Sequence, residues 1–258
     1  MIVAVYSGPR RGVGKSLIAA YLTLVLGQYT KVALLDFSES GASRVLAGPR
    51  AQSLECVLDE LCEGFSPHVL ELRIELRGAT SRITVLSGNT YCLSYLLEDS
   101  NLFKSLMKVL RSFIVVCDLP STSSRFSEDV CAEFVRLCDL VLLIVDCGRC
   151  CVDDVRQLLS GFEEFRGGLV VVLNKFDATS PSSWLLWDLT EFMIEASGMC
   201  SSCSVAIPYD EVLDLWFRTG VHSVLSRLRK ALCGLRCLVS VVTSHLSGVL
   251  RGVCGVCL

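Results

Sequence analysis

The chain has 258 residues, 52% of them hydrophobic and 20% charged, with 24 basic and 27 acidic side chains for a net charge of −3. That apolar content is enough for a buried core and excludes collagen-like, mucin-like and disordered classes. The slightly acidic balance argues against a protein that grips nucleic acid through bulk positive charge, so nucleic acid is not an expected partner.

The first apolar run, Ile2–Tyr6, predicts a strand. It carries neither the basic region nor the small-residue cleavage site of a signal peptide. No stretch reaches 18 uninterrupted apolar residues, and the expected location is cytoplasmic, with peripheral placement at the inner face of the membrane. The strand leads into Ser7-Gly8-Pro9-Arg10-Arg11-Gly12-Val13-Gly14-Lys15-Ser16, and a helix over Lys15–Leu26 follows at once. Glycines let backbone N–H groups approach a phosphate, and the helix N-terminus adds partial positive charge. Lys15 can then reach the outer phosphate oxygens and Ser16 a Mg²⁺ ion. The strict pattern G-x-x-x-x-G-K-[ST] needs Gly at position 9, where this chain has Pro9.

Further apolar runs follow at Val32–Leu35, Ile83–Leu86, Phe113–Cys117, Leu140–Val145, Leu169–Leu173 and Val205–Ile207. None alternates polar and apolar residues, as expected of strands buried on both faces. Between them, helices are predicted over Leu54–Glu63, Tyr91–Leu110, Glu128–Leu137, Val152–Phe165 and Ser183–Ala196. The alternation implies an α/β fold: one doubly wound, mostly parallel sheet flanked by helices. Ligands of such sheets bind beyond the carboxyl ends of the strands, and the polar residues of interest stand there.

The loop resembles the deviant pattern K-G-G-x-G-K-[ST] of the MinD/ParA family of phosphate-loop ATPases, with Arg10 in place of the signature lysine and Arg11 in place of a glycine. The resemblance extends over about residues 1–235. Leu35-Asp36-Phe37-Ser38-Glu39-Ser40-Gly41 is similar to the family's first switch and Cys117-Asp118-Leu119-Pro120 to its second. Leu173-Asn174-Lys175 and Ile207-Pro208-Tyr209-Asp210 resemble its base-binding segments. The resemblance implies that ATP and Mg²⁺ are the cofactors. Gly12, Val13, Gly14, Lys15, Ser16 and Leu17 would hold the phosphates, and Asn174, Pro208 and Asp210 the adenine. Ser16, Asp36 and Asp118 would serve the metal. Lys15, Arg10, Asp36 and Ser38 take the catalytic positions, Arg10 reaching across an ATP-dependent homodimer. Ser38 stands where the family's second switch I aspartate helps to position the attacking water. Hydrolysis is therefore expected to be slow.

From Leu225 the apolar residues Leu228, Leu232, Leu235, Val239, Val242, Leu246, Val249 and Val253 step by three and four, predicting a sustained amphipathic helix. Residues 222–258 hold five basic side chains and no acidic one. The stripe divides the chain into an ATPase domain, residues 1–238, and a basic, apolar tail, residues 239–258. Residues 222–236 read as a last core helix, and the tail as a contact for a membrane surface or a regulatory protein. Fifteen cysteines include Cys200/Cys203, Cys254/Cys257, Cys233/Cys237 and the group Cys147, Cys150 and Cys151. Free thiols, disulfides and metal binding all stay open for them. The leading function is thus an ATP-dependent dimerisation switch for positioning or partitioning. An Mrp-like iron–sulfur or metal carrier and a non-hydrolysing nucleotide-bound scaffold are the alternatives.

Overall fold

The computed structural model describes residues 1–38, 41–76, 78–121, 124–149, 152–162, 165–176, 202–246 and 256–257. Its strands are β1 (Ile2–Tyr6), β2 (Val32–Asp36), β3 (Gln52–Ser53), β4 (Leu72–Leu76) and β5 (Ala79–Ser87), then β6 (Ile114–Asp118), β7 (Leu140–Asp146), β8 (Gly168–Phe176), β9 (Ser202–Pro208) and β10 (Val256–Cys257). They form one sheet in the order β10-β9-β8-β7-β1-β6-β2-β5-β3, with β4 also paired to β5. All these pairings are parallel except β4 with β5.

The central strands are apolar on both faces because helices cover both. Val3 and Val5 of β1 face one core, and Ala4 and Tyr6 the other. On the first face lie α1 (Lys15–Leu26), α2 (Ala42–Leu46), α8 (Glu211–Thr219) and α9 (Leu232–Leu246). On the second lie α3 (Leu54–Cys62), α4 (Thr90–Glu98), α5 (Ser100–Val109), α6 (Arg125–Val135) and α7 (Val152–Ser160). β1 sits between β6 and β7, so the crevice beyond its carboxyl end opens at the reversal of strand order, where such sheets take ligands.

Several expectations are corrected. The single helix over Tyr91–Leu110 is two helices, because the Asp99 carboxylate accepts from Asn101 N at 2.9 Å and Leu102 N at 3.1 Å and caps α5. The long stripe from Leu225 is not one helix either. Residues His222–Arg227 form a 3₁₀ turn, and α9 starts only at Leu232. The interruption is held by the Asp210 carboxylate, which accepts from Arg229 N (3.3 Å) and Ala231 N (3.1 Å). The boundary drawn after residue 238 falls inside α9. Leu235, Leu238 and Val242 of that helix are buried in the first core. The predicted helix over Ser183–Ala196 lies outside the described residues. No helix among the described residues is long and apolar enough to cross a membrane.

Candidate functional site

In the turn between β1 and α1, four carbonyl oxygens are occupied by hydrogen-bond donors. The Ser7 hydroxyl donates to Arg10 O at 3.2 Å, and the Asn174 amide to Val13 O at 2.8 Å. Lys175 Nζ donates to Gly12 O at 2.7 Å, and Ile18 N to Gly14 O at 3.0 Å. With those acceptors occupied, the N–H groups of the loop and the start of α1 are what the turn offers an anion. Gly12 and Gly14 adopt φ of +73° and +92°, and a Cβ at Gly14 would collide with the Asn174 amide. Glycine is required there both by backbone conformation and by space. Arg11 needs no such freedom: it is absent from the positive-φ positions, and its side chain is exposed.

Beneath the loop lies a buried polar cluster. Lys15, 5% exposed, donates to Asp118 Oδ1 at 2.8 Å and also to Leu119 O. The Ser38 hydroxyl stands 2.7 Å from both Asp36 Oδ1 and Asp118 Oδ2, and 3.2 Å from Ser16 Oγ. Asp36 also accepts from Ser38 N at 3.0 Å and Ser43 N at 2.7 Å. Burial, and then the Asp118 carboxylate beside it, push the Asp36 carboxyl above its ordinary range, while the Ser43 and Ser38 bonds act against this. The Ser38 hydroxyl carries one proton for two carboxylate acceptors. A cluster of two carboxylates and two hydroxyls is a hard-oxygen donor set of the kind Mg²⁺ takes.

These groups open into a cleft of about 630 Å³, a size typical of small-molecule sites. Of the residues expected to bind nucleotide, Gly12, Val13, Gly14, Lys15, Ser16, Leu17, Asn174, Pro208 and Asp210 all line it, as do Arg10 and Ser38. Asp36 and Asp118 lie behind that wall, joined to it through Ser38 and Lys15. Asp210 has structural duties as well. It caps α8 by accepting from Val212 N at 2.9 Å, and it holds the segment before α9. Arg10 is turned onto α7, 2.5 Å from Asp154 Oδ2 and donating to Arg149 O at 2.6 Å. Sequence reasoning missed Asp146 and Lys175, although Asp146 ends a buried apolar run and Lys175 adjoins Asn174. The aromatic pair Tyr91 and Phe126 on the cleft wall, ring centroids 6.3 Å apart, was missed for want of a sequence signal.

Among the described residues the cysteines take no part in this cluster. Burial pushes the Cys131 thiol up to about 12, and those of Cys117 and Cys138 are raised for the same reason, so all three are neutral core groups. Among the described residues no three His, Cys, Asp or Glu side chains stand together as a metal site. Cys150, Cys151 and the side chains of Cys200/Cys203 and Cys254/Cys257 lie outside the described portion.

No family profile and no curated protein sequence matches the chain. Solved structures do match. An ATP complex of McdA from Cyanothece superposes with a TM-score of 0.63 at 18% identity, over 95% of this chain and 96% of that one. The cell-division protein MinD from Aquifex aeolicus gives 0.63 at 14%, over 94% and 96%. Cobyrinic acid a,c-diamide synthase from Mycobacterium smegmatis, with a bound ATP analogue and magnesium, gives 0.62 at 17%, over 95% and 94%. The chain therefore has the fold of the MinD/ParA-type deviant phosphate-loop ATPases.

Proposed function

We propose that the cleft binds ATP with Mg²⁺ and that the bound nucleotide switches the chain between monomer and homodimer, with slow hydrolysis as the reset, in a positioning or partitioning process. The observation that carries this reading is the loop with its Gly12 and Val13 carbonyls occupied by Lys175 and Asn174, joined to the Ser16–Ser38–Asp36–Asp118 cluster. The McdA complex with ATP and the synthase complex with an ATP analogue and magnesium support the choice of ligand. Lys15 and the loop amides would hold the phosphates, and Ser16 and Asp118 the metal, whose role is to neutralise phosphate charge during transfer. Asp36 would orient Ser38 and Ser43 around it. Asn174 and Pro208 would flank the base.

Arg10 supports the switch. Its contacts with Asp154 and Arg149 hold it on the cleft wall, but both side chains of the ion pair are about one third exposed. Such a pair is worth about 1 kcal/mol or less, so Arg10 is released readily toward a partner's phosphates. Light scattering on a sizing column tests the reading. Wild type with ATP and Mg²⁺ is expected at twice its monomer mass, and with ADP or as Lys15→Ala at the monomer mass. One mass under both nucleotides overturns the switch. ATP retained without turnover favours the non-hydrolysing scaffold.

The basic residues of the last elements support a contact with an anionic membrane surface. Arg227, Arg229, Lys230 and Arg236 are exposed there with no acidic residue from 222 onward. Each is worth about 1 kcal/mol near such a surface. Deleting residues 239–258 is a poor test because it removes Val242 from the core. The doubly reversed variant Arg229→Glu/Arg236→Glu is better. Wild type is expected to sediment with phosphatidylserine vesicles and the variant to stay in solution; equal sedimentation of the two removes this contact.

A further inference from the structure

Lys175 is the one residue other than glycine with positive φ among the described residues, at +57°. It sits in a bulge of β8: Asn174 pairs with Ile207 and Phe176 with Pro208, so Lys175 is left out of the ladder with β9. A bulge breaks the alternation of a strand and re-aims a side chain, and a left-handed conformation at a non-glycine residue costs of order 1–3 kcal/mol. Something must hold it there. The ammonium lies 2.7 Å from Asp146 Oδ2 and donates to Gly12 O at 2.7 Å. Asp146 is 2% exposed and is itself fixed by accepting from Gly148 N at 3.0 Å.

We infer that Lys175 is a positioning residue of the phosphate loop. With Asp146 as its anchor, it fixes the Gly12 carbonyl and so presets the amides that follow. The preceding Asn174, still in register with Asp146 and Ile207, donates its amide to Val13 O, so two consecutive residues of β8 fix two consecutive loop carbonyls. The base side of the cleft and the phosphate side are thereby mechanically joined. This inference rests on the nucleotide-binding reading for its consequence, but not for its geometry.

The test has two arms. Amide hydrogen exchange of residues 11–17 is measured without nucleotide in wild type, Lys175→Met, Lys175→Arg and Asp146→Asn. ADP and adenosine are then titrated into each. Lys175→Met is expected to speed exchange in the loop about tenfold or more and to weaken ADP by about the same factor, the net worth of one hydrogen bond to a charged group. Adenosine, which has no phosphate to meet the loop, keeps its affinity. Lys175→Arg is expected to recover most of the protection, because it can still span carboxylate and carbonyl. Asp146→Asn reproduces the effect of Lys175→Met, and the double variant is no worse than either alone. Wild-type exchange in a folded Lys175→Met, or in Asp146→Asn where Lys175→Met does not fold, overturns the inference. Wild type that binds no ADP removes the nucleotide reading, while the exchange arm still decides the clamp.

Discussion

Replacing Lys15 by alanine is expected to weaken ATP by a factor of about 100 or more, and to destabilise the free protein in a pH-dependent way. The first effect follows from the loss of charge-assisted hydrogen bonds to phosphate, each worth about 1.5–3 kcal/mol, where 1.4 kcal/mol is tenfold. The second follows from burial. Lys15 and Asp118 form an ion pair at 2.8 Å with the lysine 5% and the aspartate 0% exposed, and Asp36 lies beside them. Removing one partner of a buried pair leaves an uncompensated charge, at a cost of about 3–5 kcal/mol. The protein can lower that cost by taking up a proton. The Asp36 carboxyl is already raised above its ordinary 3.8 by burial and by Asp118, so it is the group placed to take that proton. A carboxyl whose pKa is higher folded than unfolded binds its proton better in the folded state. Its stabilising share is complete below the unfolded value and is lost as pH rises through the folded one. The deficit of Lys15→Ala in urea denaturation is therefore expected to be full at pH 8 and smaller at pH 4. Adding Asp118→Asn should recover stability at pH 8 without restoring ATP binding. An equal deficit at both pH values would refute this electrostatic account.

The residues that make this prediction possible were largely legible in the sequence. Periodicity and glycine placement located β1, the loop and α1, because strand burial and phosphate binding both act through local residue choice. Asp36, Asp118 and Asn174 end apolar runs, and in a parallel sheet strand ends converge at one edge. Other features depend on contacts between distant segments. Arg10 reads as a free cation until α7 supplies Asp154. Asp210 reads as a lining residue until the segment before α9 supplies two N–H groups to it. The bulge at Lys175 shows only in the register of β8 against β9. The strand β4 carries a different signal from the buried strands: Leu72-Arg73-Ile74-Glu75-Leu76 alternates as a half-exposed edge strand does, with no unbroken apolar run to mark it. The break in the terminal stripe had no local mark either, since apolar spacing continues across Arg229–Ala231 while the backbone there is bound by Asp210.

Ser38 carries the second large prediction. In this structure its hydroxyl separates two buried carboxylates, 2.7 Å from an oxygen of each. The MinD/ParA resemblance places there an aspartate that helps to position the attacking water. Ser38→Asp is accordingly expected to raise the rate of ATP hydrolysis tenfold or more with little change in KM, since a positioned carboxylate contributes about 10²–10⁴ in proton-transfer steps. The gain has a structural cost. A third carboxylate beside Asp36 and Asp118 adds like charge to a site where the Asp36 carboxyl is already raised. The nucleotide-free variant should therefore be less stable than wild type at neutral pH. Millimolar Mg²⁺ should restore that stability more in the variant than in wild type, because a cation bound only to the folded state stabilises it by mass action. Thermal melts with and without Mg²⁺, beside steady-state phosphate release, separate the possibilities. Faster turnover together with a larger Mg²⁺-dependent rise in Tm identifies the missing carboxylate as a limit on the proposed hydrolysis. Unchanged turnover in a variant that binds ATP as wild type does would place the slow step elsewhere. Serine at this position would then serve to keep the two buried aspartates compatible in the free protein.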